Sequence, residues 1–415
     1  MGEVSHSAPE GRDLLKRQLG LALRRQKLRA LLLVVPLLLF VTATFIYPIG
    51  GLLTRSAYAP EFSEGMPRTA AALSEWDRTG LPPESAWEAL VLDLQDHNRQ
   101  GTAGKIAATL NVELPGARSL IIKTARLAPR LTPPYRTSLA AAEDGWKNPV
   151  AWAAMKTLAN SFTDRFYLAA VDHRIDADGS VVAQPSGRQI YVPLFVRTFA
   201  IGGLVTLCCL LLGFPVAYWL SVLPMRYSNL LMIMVLLPFW TSLLVRTTAW
   251  IVLLQDRGVI NSLLVWTGLI HDEGRLRLIF NSTGTVIAMT HILLPFMILP
   301  LYSVMKTVPP TYMRAARSLG ANQFTAFVRI YLPQTKAGVA AGCLLVFILS
   351  LGYYITPALV GGESGTLISN MIAYHIQKSL NWGLAAALSA LLLASVLLLY
   401  WAYNRLAQVD GLKLG

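Results

Sequence analysis

The chain has 415 residues, of which 54% are hydrophobic and only 14% charged, with a mean hydropathy of +0.48. A soluble domain carries about 25% charged residues, so this composition excludes an ordinary soluble enzyme. The net charge of +13 would raise nucleic acid as a partner on a soluble protein, but many of the basic residues flank long uncharged runs, so they report topology in a lipid bilayer and no nucleic acid is expected.

In chain order, residues 1–30 form a basic arm with Arg12, Lys16, Arg17, Arg24, Arg25, Lys27 and Arg29. About 20 apolar residues are needed to cross about 30 Å of hydrocarbon. The first such run is 31–53. It is longer than a secretory signal core, and no small-residue cleavage site follows Tyr47-Pro48, so an uncleaved anchor is expected. Further spans are expected at 195–223, 230–254, 283–305, 337–359 and 384–405. The fold class is therefore an all-α integral membrane protein with six transmembrane helices and a large, mainly helical external insert between the first two. Helices two to six make up a core at 194–409.

The insert, 54–193, is too rich in apolar periodicity for a linker. Pro83-Glu84-Ser85-Ala86-Trp87-Glu88 opens an amphipathic run to Leu94, with Glu at the end that the helix dipole favours. Helical spacing recurs at 106–110, 120–127 and 150–168. Asp176-Ala177-Asp178-Gly179 reads as a turn into a short strand pair with Val181 and Ile190-Tyr191.

Short basic segments set the orientation. Arg226 follows span two, and Lys306, Arg314, Arg317, Arg329 and Lys336 follow span four, while the tail adds Arg405 and Lys413. An even number of spans puts all of these on one side with the arm, and the positive-inside rule makes that side the cytoplasm. Both termini are thus expected on the cytoplasmic side of the membrane. Arg257, Arg275 and Arg277 fall outside, offset by Asp256, Asp272 and Glu273.

The loop 306–336 carries the densest local signals. Pro309-Pro310-Thr311 is a helix entry and Leu319-Gly320 an exit, because Gly relieves the left-handed cap position. A second amphipathic stretch through Phe324, Phe327, Ile330 and Tyr331 runs to Pro333, which is expected to stop it before span five. Two short helices around a small-residue corner make a knob shaped to enter a groove on another protein. Ala315-Ala316 permits close approach, and the flanking arginines suit carboxylates.

The pattern Ala315-Ala316, Leu319-Gly320-Ala321 and Leu332-Pro333 resembles the coupling loop of permease subunits in binding-protein-dependent ATP-binding-cassette (ABC) importers, and more narrowly the spermidine/putrescine permease branch. Phe214-Pro215-Val216-Ala217-Tyr218, Leu237-Pro238-Phe239-Trp240-Thr241-Ser242, Val245-Arg246-Thr247 and Ala249-Trp250 are similar to that branch too. So are Leu294-Pro295-Phe296-Met297, Leu299-Pro300-Leu301-Tyr302, the run from Tyr354 to Gly362, and Asn381-Trp382-Gly383. The resemblance covers 195–401, and the insert lies outside it. It implies ATPase coupling through Arg314, Ala315, Ala316, Leu319 and Gly320. It also implies a cytoplasmic ABC ATPase dimer, a second similar permease subunit and a periplasmic solute-binding protein as partners. One departure stands out: the family loop usually begins with Glu where this chain has Arg314. Either a matched ATPase supplies a carboxylate there, or the side chain points away.

The chain is not expected to be an enzyme. No Gly-x-x-x-x-Gly-Lys-Ser/Thr loop occurs, since Gly104-Lys105 lacks the remainder, and no catalytic cluster is visible. No cofactor is expected on this chain, with ATP and Mg left to the partner ATPase. Cys208, Cys209 and Cys343 all lie in apolar runs, so no metal site and no disulfide framework are expected.

Candidate residues of the translocation pathway are Trp240, Thr241, Arg246, Trp250, His291, Tyr353, Tyr354 and Thr356. Arg246 either faces the pathway, snorkels outward or pairs with Asp256. His291 either lines the pathway or is a packing histidine. Tyr353, Tyr354 and Thr356 form either an aromatic wall for an amine or an interfacial belt. The absence of Asp and Glu inside the spans leaves two options open. Either the external binding protein sets specificity for a polyamine, or the cargo is a related nitrogenous solute. A secondary transporter would need internal coupling carboxylates or paired broken helices. A membrane-anchored receptor or scaffold would leave the knob unexplained.

Overall fold

The computed structural model describes residues 26, 27 and 30–411, the side chains of 406–411 excepted. The expected basic arm therefore lies almost wholly outside the described residues, as does Lys413. Among the described residues, four helices are long and apolar enough to cross a membrane: Ala30–Thr54, Tyr191–Val222, Ser282–Thr307 and Trp382–Arg405. Two bent pairs, Met225–Trp240 with Leu243–Trp266 and Gln323–Gln334 with Lys336–Gly352, raise the number to six if each pair is one span. The chain is an all-α integral membrane protein.

The bend at Thr241-Ser242 and a break after Gly352 correct the expectation of continuous spans. The expected span 230–254 is broken at Thr241-Ser242, where the two pieces meet at 96°. Pro238 lacks the N–H a continuing helix needs, and the chain tightens into a 3-10 turn over Leu237–Trp240 before it breaks. The expected span 337–359 ends at Gly352 and resumes as Ile355–Val360. The ring of Pro357 would collide with the carbonyl four residues back, that of Tyr353, which is where the helix stops. In the new helix Pro357 sits in the first turn, where its missing N–H costs nothing. Pro333 does not stop the segment before it either. The ladder widens into a π-turn over Phe327–Tyr331, Pro333 falls at the start of Leu332–Gln334, and the break comes at Thr335.

The chain divides into two units at Arg55. The first contributes the helix Ala30–Thr54, which carries a π-turn at Thr42–Ile46. The second holds everything from Ser56 onward. At its centre, Ser282–Thr307 packs against both Tyr191–Val222 and Lys336–Gly352. Gly213 and Gly342 face Met297 from either side, which lets three apolar helices approach without a gap. Lys306 Nζ donates to Ser221 O at 3.1 Å, so Tyr191–Val222 and Ser282–Thr307 end together and run parallel.

Residues 56–190 build a separate core above the starts of these helices. Expected helices at 83–94, 106–110 and 120–127 are present as Glu84–Gln100, Ala103–Glu113 and Ala117–Leu127. The expected helix over 150–168 is two pieces, Pro149–Ala159 and Arg165–Ala170, because the chain between them pairs with 57–59. The strand pair is His173–Ile175 with Val181–Ala183 around the Asp176–Gly179 turn. Ile190-Tyr191 is not part of it: Tyr191 already opens a membrane helix.

Three tryptophans centre this core. Trp152 lies 4.6 Å from Trp87 and 5.2 Å from Trp146, ring to ring. Each indole N–H is satisfied, on Pro82 O, Thr124 Oγ1 and Trp146 O. Replacing Trp152 by Ala is expected to cost about 3–5 kcal/mol. Limited proteolysis should then cut within 56–190 at a protease level the parent resists. Cleavage unchanged from the parent would show that the tryptophans do not hold the insert together.

The junction between the insert and the membrane helices is held at three places. Asp172 accepts from the backbone N–H groups of Ile190, Tyr191 and Val192 at 2.9, 3.0 and 2.8 Å, capping Tyr191–Val222. Tyr191 Oη meets His375 Nε2 at 2.9 Å. Phe166 lies so close to Gly383 that a Cβ there would stand 2.2 Å from the ring. Only glycine fits at that point.

Candidate functional site

At the end of the bundle away from the insert, the knob has the expected two-helix form. Pro310–Ser318 is closed by a Schellman motif, in which Gly320 N–H donates to Arg317 O and Ala321 N–H to Ala316 O, with Gly320 at φ 91°. Met313 and Ala316 turn inward, whereas Arg314, Ala315, Arg317, Leu319 and Gly320 are exposed, Leu319 to 89%. Arg314 has no ion pair among the described residues. Asn322 caps the next helix through Thr325 N–H at 2.7 Å.

The knob is mechanically continuous with the membrane core. Met313 and Phe327 both pack on the cluster that contains Tyr331 and Met297. Phe327 stacks on Tyr331 at 5.5 Å, and both rings meet Tyr218 edge-on, at 5.5 and 5.2 Å. Phe214 adds a fourth ring. Pro310–Ser318 is thus joined to Tyr191–Val222 through closely packed aromatic contacts. This aromatic cluster lies outside the pathway and coupling residues expected from sequence. Its signal was present as Phe214, Tyr218, Phe327 and Tyr331 at i, i+4 spacing, on two segments whose adjacency only the fold supplies.

Deeper in the bundle, the structure brings most of the expected pathway residues together. Arg246 and Trp250 stand one turn apart on Leu243–Leu254. The Trp250 indole N–H donates to His291 Nδ1 at 3.1 Å, with the rings 5.3 Å apart. Thr247, outside the pathway residues expected from sequence, meets Thr356 at 3.4 Å between hydroxyl oxygens, and both are fully buried. This fixes Ile355–Val360 against Leu243–Leu254. Tyr353 and Tyr354 enter beside them, held by Ser369 Oγ and Asn370 Nδ2 on their carbonyl oxygens at 2.7 Å each. Arg246 has no ion pair with Asp256, and its Nε and Nη1 are buried without an acceptor. Trp240 and Thr241 are not part of the cluster: they sit at the bend, exposed, Trp240 to 76%.

The described residues contain no group of three or more His, Cys, Asp or Glu able to hold a metal ion. The arrangement offers a hydroxyl- and aromatic-lined patch with one cation inside a membrane bundle, joined by stiff packing to an exposed knob.

The family model described as the binding-protein-dependent transport system inner membrane component matches residues 189–408, which leaves the insert outside it. The chain is similar to the spermidine/putrescine transport system permease protein PotB of Escherichia coli (strain K12), 34% identical over 220 residues that cover 52% of this chain and 79% of that one. It is 32% identical over 234 residues to the inner membrane ABC transporter permease protein YdcU of the same organism, covering 53% and 73% of the two chains. Among solved structures it is similar to a bacterial alginate ABC transporter in complex with an alginate pentasaccharide-bound periplasmic protein. There the identity is 16%, the TM-score 0.45, and the coverage 53% of this chain and 79% of that one.

Proposed function

The chain belongs to the family of binding-protein-dependent transport system inner membrane components, and from that premise we propose that it is one permease subunit of an ATP-driven importer for a polyamine or a related small nitrogenous solute. The observation that carries this reading is the family match from the first residues of the Tyr191–Val222 helix to the tail, knob included. The likeness to PotB supplies the solute class.

In this reading a dimer of ABC ATPase subunits, with ATP and Mg, docks on the exposed face of Arg314, Ala315, Leu319 and Gly320 from the cytoplasm. Closure of the dimer pushes the knob, and the Phe327–Tyr331–Tyr218 contacts carry the push into Tyr191–Val222. The pathway around Arg246, Trp250, His291, Tyr353, Tyr354 and Thr356 then opens alternately to either side. A second, similar permease completes the pore. The insert faces the periplasm, where a solute-binding protein delivers the cargo, and both termini lie in the cytoplasm.

Purification of the tagged chain from its native membrane tests the reading. An ABC ATPase and a second permease are expected to travel with it, and the eluate should hydrolyse ATP. A chain that elutes alone after gentle extraction and crosslinking, without ATPase activity, overturns it.

A further inference from the structure

A cavity of about 570 Å³ lies where the insert meets the starts of two membrane helices. Small-molecule sites commonly enclose about 300–1,000 Å³. Arg165 and Phe166 line it from the insert, and Tyr191 and Leu384 line it from the first turns of Tyr191–Val222 and Trp382–Arg405. Most of its wall comes from residues before 189, outside the stretch that matches the family. Arg165 Cζ stands 4.6 Å from the ring centre of Phe166, the ring that Gly383 makes room for, so the cavity adjoins the junction itself.

The carboxylates in this wall are already engaged, whereas two of its guanidinium groups are not fully so. Asp172 takes the three backbone N–H groups of the helix it caps. Asp176 has Arg174 at 3.8 Å, and its backbone oxygen accepts from Arg78. Glu113 Oε1 meets Arg165 Nη1 at 3.4 Å, a single contact where a carboxylate can fork onto two nitrogens. Arg188, also in the wall, forms no ion pair among the described residues. The Arg165 side chain is only 10% exposed. Its Nε is covered without an acceptor, and neither Nη donates a hydrogen bond among the described residues. Burial pulls its pKa below the usual arginine value by more than Glu113 raises it. A guanidinium in this position keeps its proton and gains from a further acceptor. Because Nε is sealed, that acceptor must arrive at the Nη edge, and the cavity is the space that Arg165 lines.

From the cavity and the half-met Arg165 we infer that the insert carries a binding site for a small phosphate-bearing anion, with Arg165 as the group that holds it. A further carboxylate would only duplicate Glu113, whereas a phosphate group brings three acceptor oxygens and more than one negative charge. It accepts from the Nη edge of Arg165, and Arg174 and Arg188 add positive potential from the same wall. The phosphate belongs to a soluble anion or to a phospholipid headgroup, since the cavity reaches the starts of two membrane helices. The site stands on the insert and does not rest on the importer reading.

The test uses the full-length chain with its native partner subunits in nanodiscs of phosphatidylcholine, whose headgroup is net neutral, and radiolabelled inorganic phosphate as the probe. Saturable binding is expected, weakened about ten- to hundredfold in Arg165→Gln and partly recovered in Arg165→Lys. Glu113→Gln, which frees the Nη edge, should tighten it about two- to fivefold. An arginine that serves only to hold Glu113 predicts no such tightening. In nanodiscs containing phosphatidylglycerol, native mass spectrometry counts the lipids that each variant retains. A phosphatidylglycerol kept by the parent and lost from Arg165→Gln makes the anion a lipid headgroup, and equal counts beside saturable phosphate binding make it soluble. If Arg165→Gln unfolds the insert, seen as protease cleavage within 56–190, Glu113→Gln decides: tighter binding upholds the site and unchanged binding overturns it. Phosphate binding that never saturates, together with equal lipid counts, overturns the inference, as does saturable binding that neither variant alters.

Discussion

Gly320→Glu is expected to cut solute uptake at least about tenfold while the chain stays in the membrane at its parental level. Two features of the position separate coupling from folding. Gly320 stands at φ 91°, where an ordinary L-residue is strained by about 1–2 kcal/mol. No heavy atom lies within 4 Å of the place a Cβ would occupy, so the side chain starts out into open space. The strain falls on an exposed turn outside the packed bundle and is too small to unfold it. What the carboxylate would meet, in the proposed function, is the ATPase surface that closes on the knob. Gly320→Asn is the matched control, because Asn tolerates the left-handed conformation and carries no charge. It should keep most of the uptake. Full uptake by Gly320→Glu, with normal amounts in the membrane, would end the claim that this corner couples ATP hydrolysis to transport.

The contrast between this knob and the deeper cluster shows what a sequence exposes and what it hides. Every signal read in the knob is local: the Pro309-Pro310 entry and the Leu319-Gly320 exit act within a few residues, so the two helices and their corner were legible in order. Spans were legible from hydropathy, yet Pro238 and Pro357 were read through, because apolar composition continues past a break in the hydrogen-bond ladder. The pathway residues were legible as types and not as a constellation. Trp250 and His291 are 41 positions apart, and Thr247 and Thr356 are 109 apart. Periodicity along one helix says which face is apolar and nothing about the side chain that arrives from another. The orphaned edge of Arg246 is hidden for the same reason, since an unmet hydrogen bond becomes visible only once every neighbour is in place. Asp172 is the extreme case. It lies between a short helix and a short strand, with no spacing to mark it, and its partners are 18 to 20 residues further on.

Asp172→Ala is expected to loosen the joint between the insert and the membrane core by about 2–4 kcal/mol, since three backbone donors at the start of Tyr191–Val222 lose their acceptor together. The N-terminal end of a helix also carries a partial positive charge that the carboxylate answers. Water reaches this end only in part, because Asp172 itself is 4% exposed. Amide exchange at Ile190, Tyr191 and Val192 should therefore speed up about a hundredfold, with the tryptophan-centred core of the insert unchanged. Asp172→Asn should fall between the two, for its one oxygen can still receive Ile190 and Tyr191 while its NH2 faces the Val192 N–H. Unchanged exchange in Asp172→Ala would mean that the contact of Phe166 with Gly383 and the bond from Tyr191 to His375 hold the joint alone. If exchange rises as expected, the cap holds the insert to the start of Tyr191–Val222, which in the proposed function is the helix that the knob would push from its other end.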